Sequence, residues 1–155
     1  LRVSIVRYFN SYGPHLDEKG YGSVIANFIR QARDGDPLTV HGDGLQTRCF
    51  TFVADTVRGT ILAGTKDEAL GSVFNIGSNF EISIADLARL ILDKTKSSSA
   101  ITNVSYEQRY GTSFEDTRRR VPSLDRARDV LGYSPTIDLA EGLDRTLAWW
   151  NTVHT

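Results

Sequence analysis

Three polar features stand out against apolar neighbours, and together they carry the chemistry to hold a multiply charged anion. Asn10 follows the run Val3-Ser4-Ile5-Val6 and the aromatic pair Tyr8-Phe9, and it precedes the turn Ser11-Tyr12-Gly13-Pro14. It delivers an uncharged amide where a strand leaves a sheet, which is where open α/β sheets usually hold ligands. Taken alone, the segment reads equally well as a core strand that merely turns. Arg48 lies inside the β-prone stretch QTRCFTFV, Gln46 to Val53. Burying an unpaired cation costs several kcal/mol, so this residue must reach a partner or solvent. An alternating strand puts Thr47, Cys49 and Thr51 on one face and Arg48, Phe50 and Phe52 on the other, which argues against simple exposure. The third feature is Arg118-Arg119-Arg120, followed by Val121-Pro122. A basic triplet in a loop most often marks a solvated surface. A planar guanidinium is nonetheless well suited to a diphosphate, through paired hydrogen bonds.

Other chemistries lack their residues. His15, His41 and His154 are widely separated and no Cys/His spacing matches a zinc pattern, so no metal site is expected. There is no G-x-S-x-G elbow for a nucleophilic serine. Neither G-x-G-x-x-G nor G-x-x-G-x-x-G occurs, so the chain has no dinucleotide loop of its own. Lys+Arg is 18 and Asp+Glu 19, a net charge of −1 that gives no general attraction to nucleic acid or anionic membrane. No apolar run approaches a membrane-spanning length, and no signal peptide is expected. One cysteine, Cys49, points to a reducing compartment, hence the cytoplasm.

The elements that position these residues follow from local pattern. The 155 residues suit one domain or a large piece of one. Val3 to Val6 predicts a short, deeply buried strand. His15 to Gly22 is polar and reads as a mobile surface loop. Ser23 to Asp34 has helical spacing, with Val24, Ile25, Phe28, Ile29 and Ala32 on one face; Gly35 stops it and Pro37 prevents its resumption. Leu38 to Val40 is a strand candidate, His41 to Gly44 a turn, Ala54 to Gly64 a helix with Asp55 near its positive end. Ser72 to Ile76 is another buried strand. Ser83 and Asp86 form a capping box flanked by Ile82 and Leu87, and Asp138 and Glu141 form a second that starts a helix to about Val153. Ile101 to Tyr106 looks like a strand, Glu107 to Arg120 irregular, and Ser123 to Leu131 a short helix ended by Gly132. The sum is an α/β chain of mixed short strands with about five helices.

Five ordered blocks then match a known family: RYFNSYGP (Arg7–Pro14), GDPLTVHGDGLQTRCFTFVAD (Gly35–Asp55), VFNIGSNFEISIADLA (Val73–Ala88), YGTSFEDTRRRVPSLDRARDVLGYSP (Tyr110–Pro135) and LAEGL (Leu139–Leu143). The chain resembles the C-terminal half of an extended short-chain dehydrogenase/reductase of the nucleotide-sugar epimerase/dehydratase group. The resemblance implies that residues 1–155 supply the last strands of a Rossmann-type sheet and a smaller sugar-binding domain. Asn10 resembles the asparagine that bonds the sugar nucleotide near its diphosphate, Arg48 the arginine of the Q-T-R motif, and Arg120 the second diphosphate clamp. Val24 and Ile25 resemble the helix start whose N–H groups face the phosphates, a good anion site in general. Thr39, Val40 and His41 resemble the strand whose backbone pairs with uracil or thymine. Two positions depart from the pattern: Ser123 stands where relatives carry a ribose-contacting Asp, and is equally a helix N-cap; His15 stands where many carry Arg.

The same resemblance implies NAD as cofactor, a UDP- or dTDP-linked sugar as substrate, a 4-keto intermediate and a homo-oligomer. The family's Y-x-x-x-K pair is not in this chain: none of Tyr8, Tyr12, Tyr21, Tyr106, Tyr110 and Tyr133 has Lys four residues later. Because the sequence opens at Leu1 on a core-type strand, the catalytic pair and the NAD loop are expected upstream, and these 155 residues alone are expected to be inactive. The rival expectation is a non-catalytic nucleotide-binding or oligomerisation module.

Overall fold

Helix ends in this chain are written by short-range chemistry, and they frame the rest. The computed structural model describes residues 2–16, 23–107 and 116–153. Helix α1, Val24–Asp34, starts at Ser23, whose Oγ accepts from the Ala26 N–H, and stops at Gly35 with φ 75°. Its predicted apolar face is buried at Ile25, Phe28, Ile29 and Ala32. Helix α3, Ile84–Thr95, is capped by Ser83 Oγ accepting from the Asp86 N–H at 3.0 Å, as the box predicts. The last helix, α5, Leu139–Val153, begins with the Glu141 N–H donating to Asp138 Oδ1 at 2.8 Å. Helix α2, Val53–Thr65, and the short α4, Asp125–Leu131, join them, with a 3-10 turn at Asp67–Ala69 and helical residues at 106–107.

Among the described residues the strands form four small sheets. β1 (Ile5–Tyr8) pairs in parallel with β6 (Val73–Ile76), β2 (Ser11–Tyr12) with β5 (Thr51–Phe52), and β3 (Leu38–His41) with β8 (Ile101–Val104). β4 (Thr47–Cys49) lies between antiparallel β7 (Glu81–Ser83) and parallel β9 (Arg119–Arg120). The larger core gathers α1, α3, α5 and β3 around Phe28, Ile29, Leu38, Leu87, Ile91 and Leu143. A smaller one joins Phe74 and Ile76 of β6 to Ala63, Leu131 and Tyr133. No described helix is long and apolar enough to cross a membrane.

Four expectations need correction. β1 is not deeply buried: Ile5 and Tyr8 are each 52% exposed. Its one strand neighbour among the described residues is β6, so one edge stays open. Gln46–Val53 is not one strand either. It breaks at Phe50 into β4 and β5, and both faces are buried because the segment runs between packed layers. The described end of Glu107–Arg120 is not irregular, since Arg119–Arg120 bonds to β4. Ser123 stands one residue before the cap position, which Leu124 occupies; its Oγ still accepts from the Asp125 N–H at 3.4 Å. Residues 17–22 of the predicted surface loop, 108–115 of the polar stretch, and His154 lie outside the described residues.

One close packing makes a test. A Cβ on Gly142 of α5 would meet the Tyr12 hydroxyl oxygen at 2.1 Å, and that buried hydroxyl donates to the Leu139 carbonyl. Gly142→Ala gains helix propensity, worth about 1 kcal/mol, yet must displace a ring locked in the core. The expected net effect is a loss of about 2 kcal/mol, typical of overpacking, read by urea unfolding.

Candidate functional site

A cavity of about 820 Å³ opens where the β1–β2 turn, the start of α1, β3, β4 and the segment 116–120 converge. Each reaches it for a local reason. Asn10 sits in the left-handed region at φ 41°, a conformation asparagine tolerates better than most residues, and this turns its amide off the end of β1. Its Nδ2 donates to the Cys49 carbonyl at 2.8 Å. The Ser23 cap serves Ala26, and the first-turn N–H groups of Val24 and Ile25 keep no bond among the described residues, as at any helix start.

On β3, the Leu38 and Gly42 N–H groups bond to carbonyls of Ala100 and Val104, so Thr39 and His41 turn their backbone to the opposite edge. There Gln31 of α1 accepts the Thr39 N–H at 3.2 Å and donates to its Oγ1 at 2.8 Å.

Arg48 is 7% exposed, and the partner its burial demanded is Asp116. Arg48 Nη2 donates to Asp116 Oδ1 at 2.6 Å, and Nη1 donates to the carbonyls of Thr47 (2.8 Å) and Thr117 (2.7 Å). Asp116 Oδ2 also accepts from the Tyr106 hydroxyl at 2.8 Å. Burial first, and then that carboxylate, push the Tyr106 phenol well above its ordinary range. Gln46 Nε2 donates to both Tyr106 Oη and the His41 carbonyl, while its buried Oε1 has no partner among the described residues.

The basic triplet divides its labour. Arg118 Nη1 donates to both oxygens of Asp43, at 2.8 and 2.7 Å, and its bond, with one from the Leu45 N–H, holds the Asp43 carboxyl below the usual range. Arg119 is bidentate to Glu81, whose carboxyl is lowered by the Thr47 hydroxyl and then by Arg119. Arg120 has no ion pair among the described residues and lines the cavity. Among the described residues, the triplet is thus two surface ties and one arginine that faces the cavity.

Of the residues singled out from sequence, Asn10, Val24, Ile25, Thr39, His41, Arg48 and Arg120 line this one cavity. Val40 does not: it alternates away from Thr39 and His41 into the core. Ser123 does not either; its carbonyl accepts from Asn75 Nδ2. His15 packs against Trp149 in a tilted contact, with centroids 5.2 Å apart, and is not part of the lining. Gln31, Gln46, Tyr106 and Asp116 were missed. Gln46 stood in the quoted Q-T-R block, but nothing local marks Asp116 as the partner of Arg48.

Residues 1–146 match the sequence family described as GDP-mannose 4,6 dehydratase. The chain belongs to that family. It is the nucleotide-sugar epimerase/dehydratase group of extended short-chain dehydrogenases/reductases that the five blocks resemble. Among curated relatives, a UDP-N-acetyl-alpha-D-glucosaminuronate decarboxylase of Bacillus cytotoxicus is 42% identical over 99% of this chain and 48% of its own length. UDP-glucuronic acid decarboxylase 1 of Xenopus tropicalis is 37% identical over 97% of this chain and 34% of its own. Among solved structures, a UDP-glucose 4-epimerase of Thermotoga maritima with UDP-glucose aligns at TM-score 0.90 and 28% identity, covering all of this chain and 48% of that one. The chain therefore spans half or less of the length of these family members.

Proposed function

We propose that this chain is the sugar-nucleotide-binding, C-terminal part of an NAD-dependent epimerase, dehydratase or decarboxylase acting on a UDP- or dTDP-sugar through a 4-keto intermediate. The observation that carries the reading is that Asn10, Arg48, Arg120 and the open first turn of α1 meet in one cavity. Two guanidinium groups and a helix start are the donors a pyrophosphate needs. On the β3 edge the Thr39 N–H is engaged by Gln31, which leaves the Thr39 carbonyl to accept from a base N–H.

The residues described here do not fit a dinucleotide. Among the described residues, Gly42 and Gly44 share one turn and the other glycines with positive φ (Gly13, Gly35, Gly71 and Gly132) sit in separate ones, none of them a glycine-rich strand-to-helix loop. In this reading NAD and the Tyr/Lys pair belong to another part of a longer, cytoplasmic, homo-oligomeric protein, and the 155 residues alone bind without turnover. The oligomerisation alternative rests on the open edge of β1. A gene whose upstream reading frame carries G-x-x-G-x-x-G and Y-x-x-x-K excludes it.

Calorimetry of the folded chain with UDP, UDP-glucose, UDP-glucuronate and uridine tests the binding. Heat from the three diphosphates is expected, and no heat at millimolar ligand overturns the reading. Arg120→Ala should weaken UDP about tenfold, the order of one charge-assisted hydrogen bond. Uridine binding should not change, because the lost cation faces only the phosphates.

A further inference from the structure

The guanidinium of Arg48 is not free to choose its orientation. Three of its five N–H donors are committed: two on Nη1 to the carbonyls of Thr47 and Thr117, and one on Nη2 to Asp116. The Nε–H and the second Nη2–H have no partner among the described residues, and the side chain forms part of the cavity wall. Asp116 is itself held from its other oxygen by Tyr106, which Gln46 ties to the carbonyl of His41 on β3. The series β3–Gln46–Tyr106–Asp116–Arg48 is therefore continuous from the strand edge beside the α1 amide to the cation.

We propose that Asp116, steered by Tyr106, is a positioning residue that locks Arg48 with two donors left for a pyrophosphate. The inference rests on the binding reading above and adds to it the group that makes Arg48 effective. The physical ground is that a planar fork binds an anion best when its plane is set beforehand, since ordering a loose arginine at binding costs entropy. Asp116 is also an anion facing the cavity, so a purely repulsive role makes the opposite forecast: its removal would tighten phosphate binding.

The test compares UDP with uridine, which shares the base and ribose but has no phosphate. In Asp116→Ala, UDP should weaken at least tenfold while uridine holds within twofold. Tyr106→Phe, which removes one hydroxyl, should weaken UDP by a smaller factor in the same selective way. In an Arg48→Ala background, Asp116→Ala should cost nothing further. Side-chain NMR adds a readout that needs no ligand: Arg48 guanidinium protons slow to exchange in the parent should exchange fast in Asp116→Ala. Equal loss of UDP and uridine, tighter UDP, additive costs, or unchanged Arg48 exchange would each overturn the assignment. A parent chain that binds no UDP but shows the exchange difference would sink the binding reading while leaving the lock on Arg48 standing.

Discussion

Asp55→Ala should destabilise the chain by about 3 kcal/mol, at the lower end for breaking a buried ion pair. The carboxylate is almost fully buried at the start of α2, and it accepts from the Thr136 N–H (2.9 Å), the Ile137 N–H (3.0 Å), the Thr136 hydroxyl (2.8 Å) and Arg58 (2.7 Å). Its removal leaves the Thr136 and Ile137 N–H groups without their acceptor and cuts the tie between the link after α4 and α2. Burial pushes this carboxyl up, but Arg58, the Ile137 and Thr136 N–H groups and the Thr136 hydroxyl together bring it below the usual range. A carboxyl whose folded pKa is depressed stabilises above its unfolded value, near about 3.9, and that stability is lost as pH falls through the folded value. The gap in unfolding free energy between parent and Asp55→Ala should be constant from neutral pH to about pH 5, then close on further acidification. Urea titrations at a series of pH values check both the size and the sign. A gap that widens in acid would contradict the assignment.

Arg48→Ala should weaken UDP roughly a hundredfold, because two charge-assisted donors to phosphate, at about 1.5 kcal/mol each, are worth about 3 kcal/mol. It should also cost the fold about 2 kcal/mol. That second effect has a separate cause: Asp116 and the carbonyls of Thr47 and Thr117 lose their common donor. Arg48→Lys should recover little of either, since a single ammonium cannot match a fork that serves three acceptors and a ligand. Binding by calorimetry and unfolding by urea separate the two effects. Loss of stability with UDP affinity intact would make Arg48 a structural residue only.

What could be read from sequence was what is decided within a few residues. The Ser83–Asp86 and Asp138–Glu141 boxes, and the stops at Gly35 and Gly132, depend on neighbours three or four positions away, and all four stand as read. Arg48 is out of solvent as expected, but both faces of its broken segment are buried, so alternation did not decide it. Its partner was hidden because Asp116 is 68 residues further on. The same limit explains β1. Val3-Ser4-Ile5-Val6 has core character, but no local pattern states how many strands will flank it, and Ile5 and Tyr8 are left half exposed. At the site, three of the five family blocks, those holding Asn10, Thr39 to Arg48 and Arg120, supplied expected site residues that line the cavity, while Val40 was drawn in only because it sits between Thr39 and His41. A period of two sends its side chain to the other face.

The pairing pattern has a kinetic consequence. No described strand bonds to a sequence neighbour across a tight hairpin; even the nearest partners in sequence, Cys49 with Glu81 on the antiparallel side, flank the whole of α2. Every ladder must wait for a large loop to close before it yields any return, and such topologies cross their barrier late and slowly. The helices, written by local caps, are free to form first and to idle until the strands meet. Refolding followed by stopped-flow should therefore show far-ultraviolet ellipticity recovering well ahead of the tryptophan signal, to which the buried Trp150 contributes as a reporter of the assembled interior.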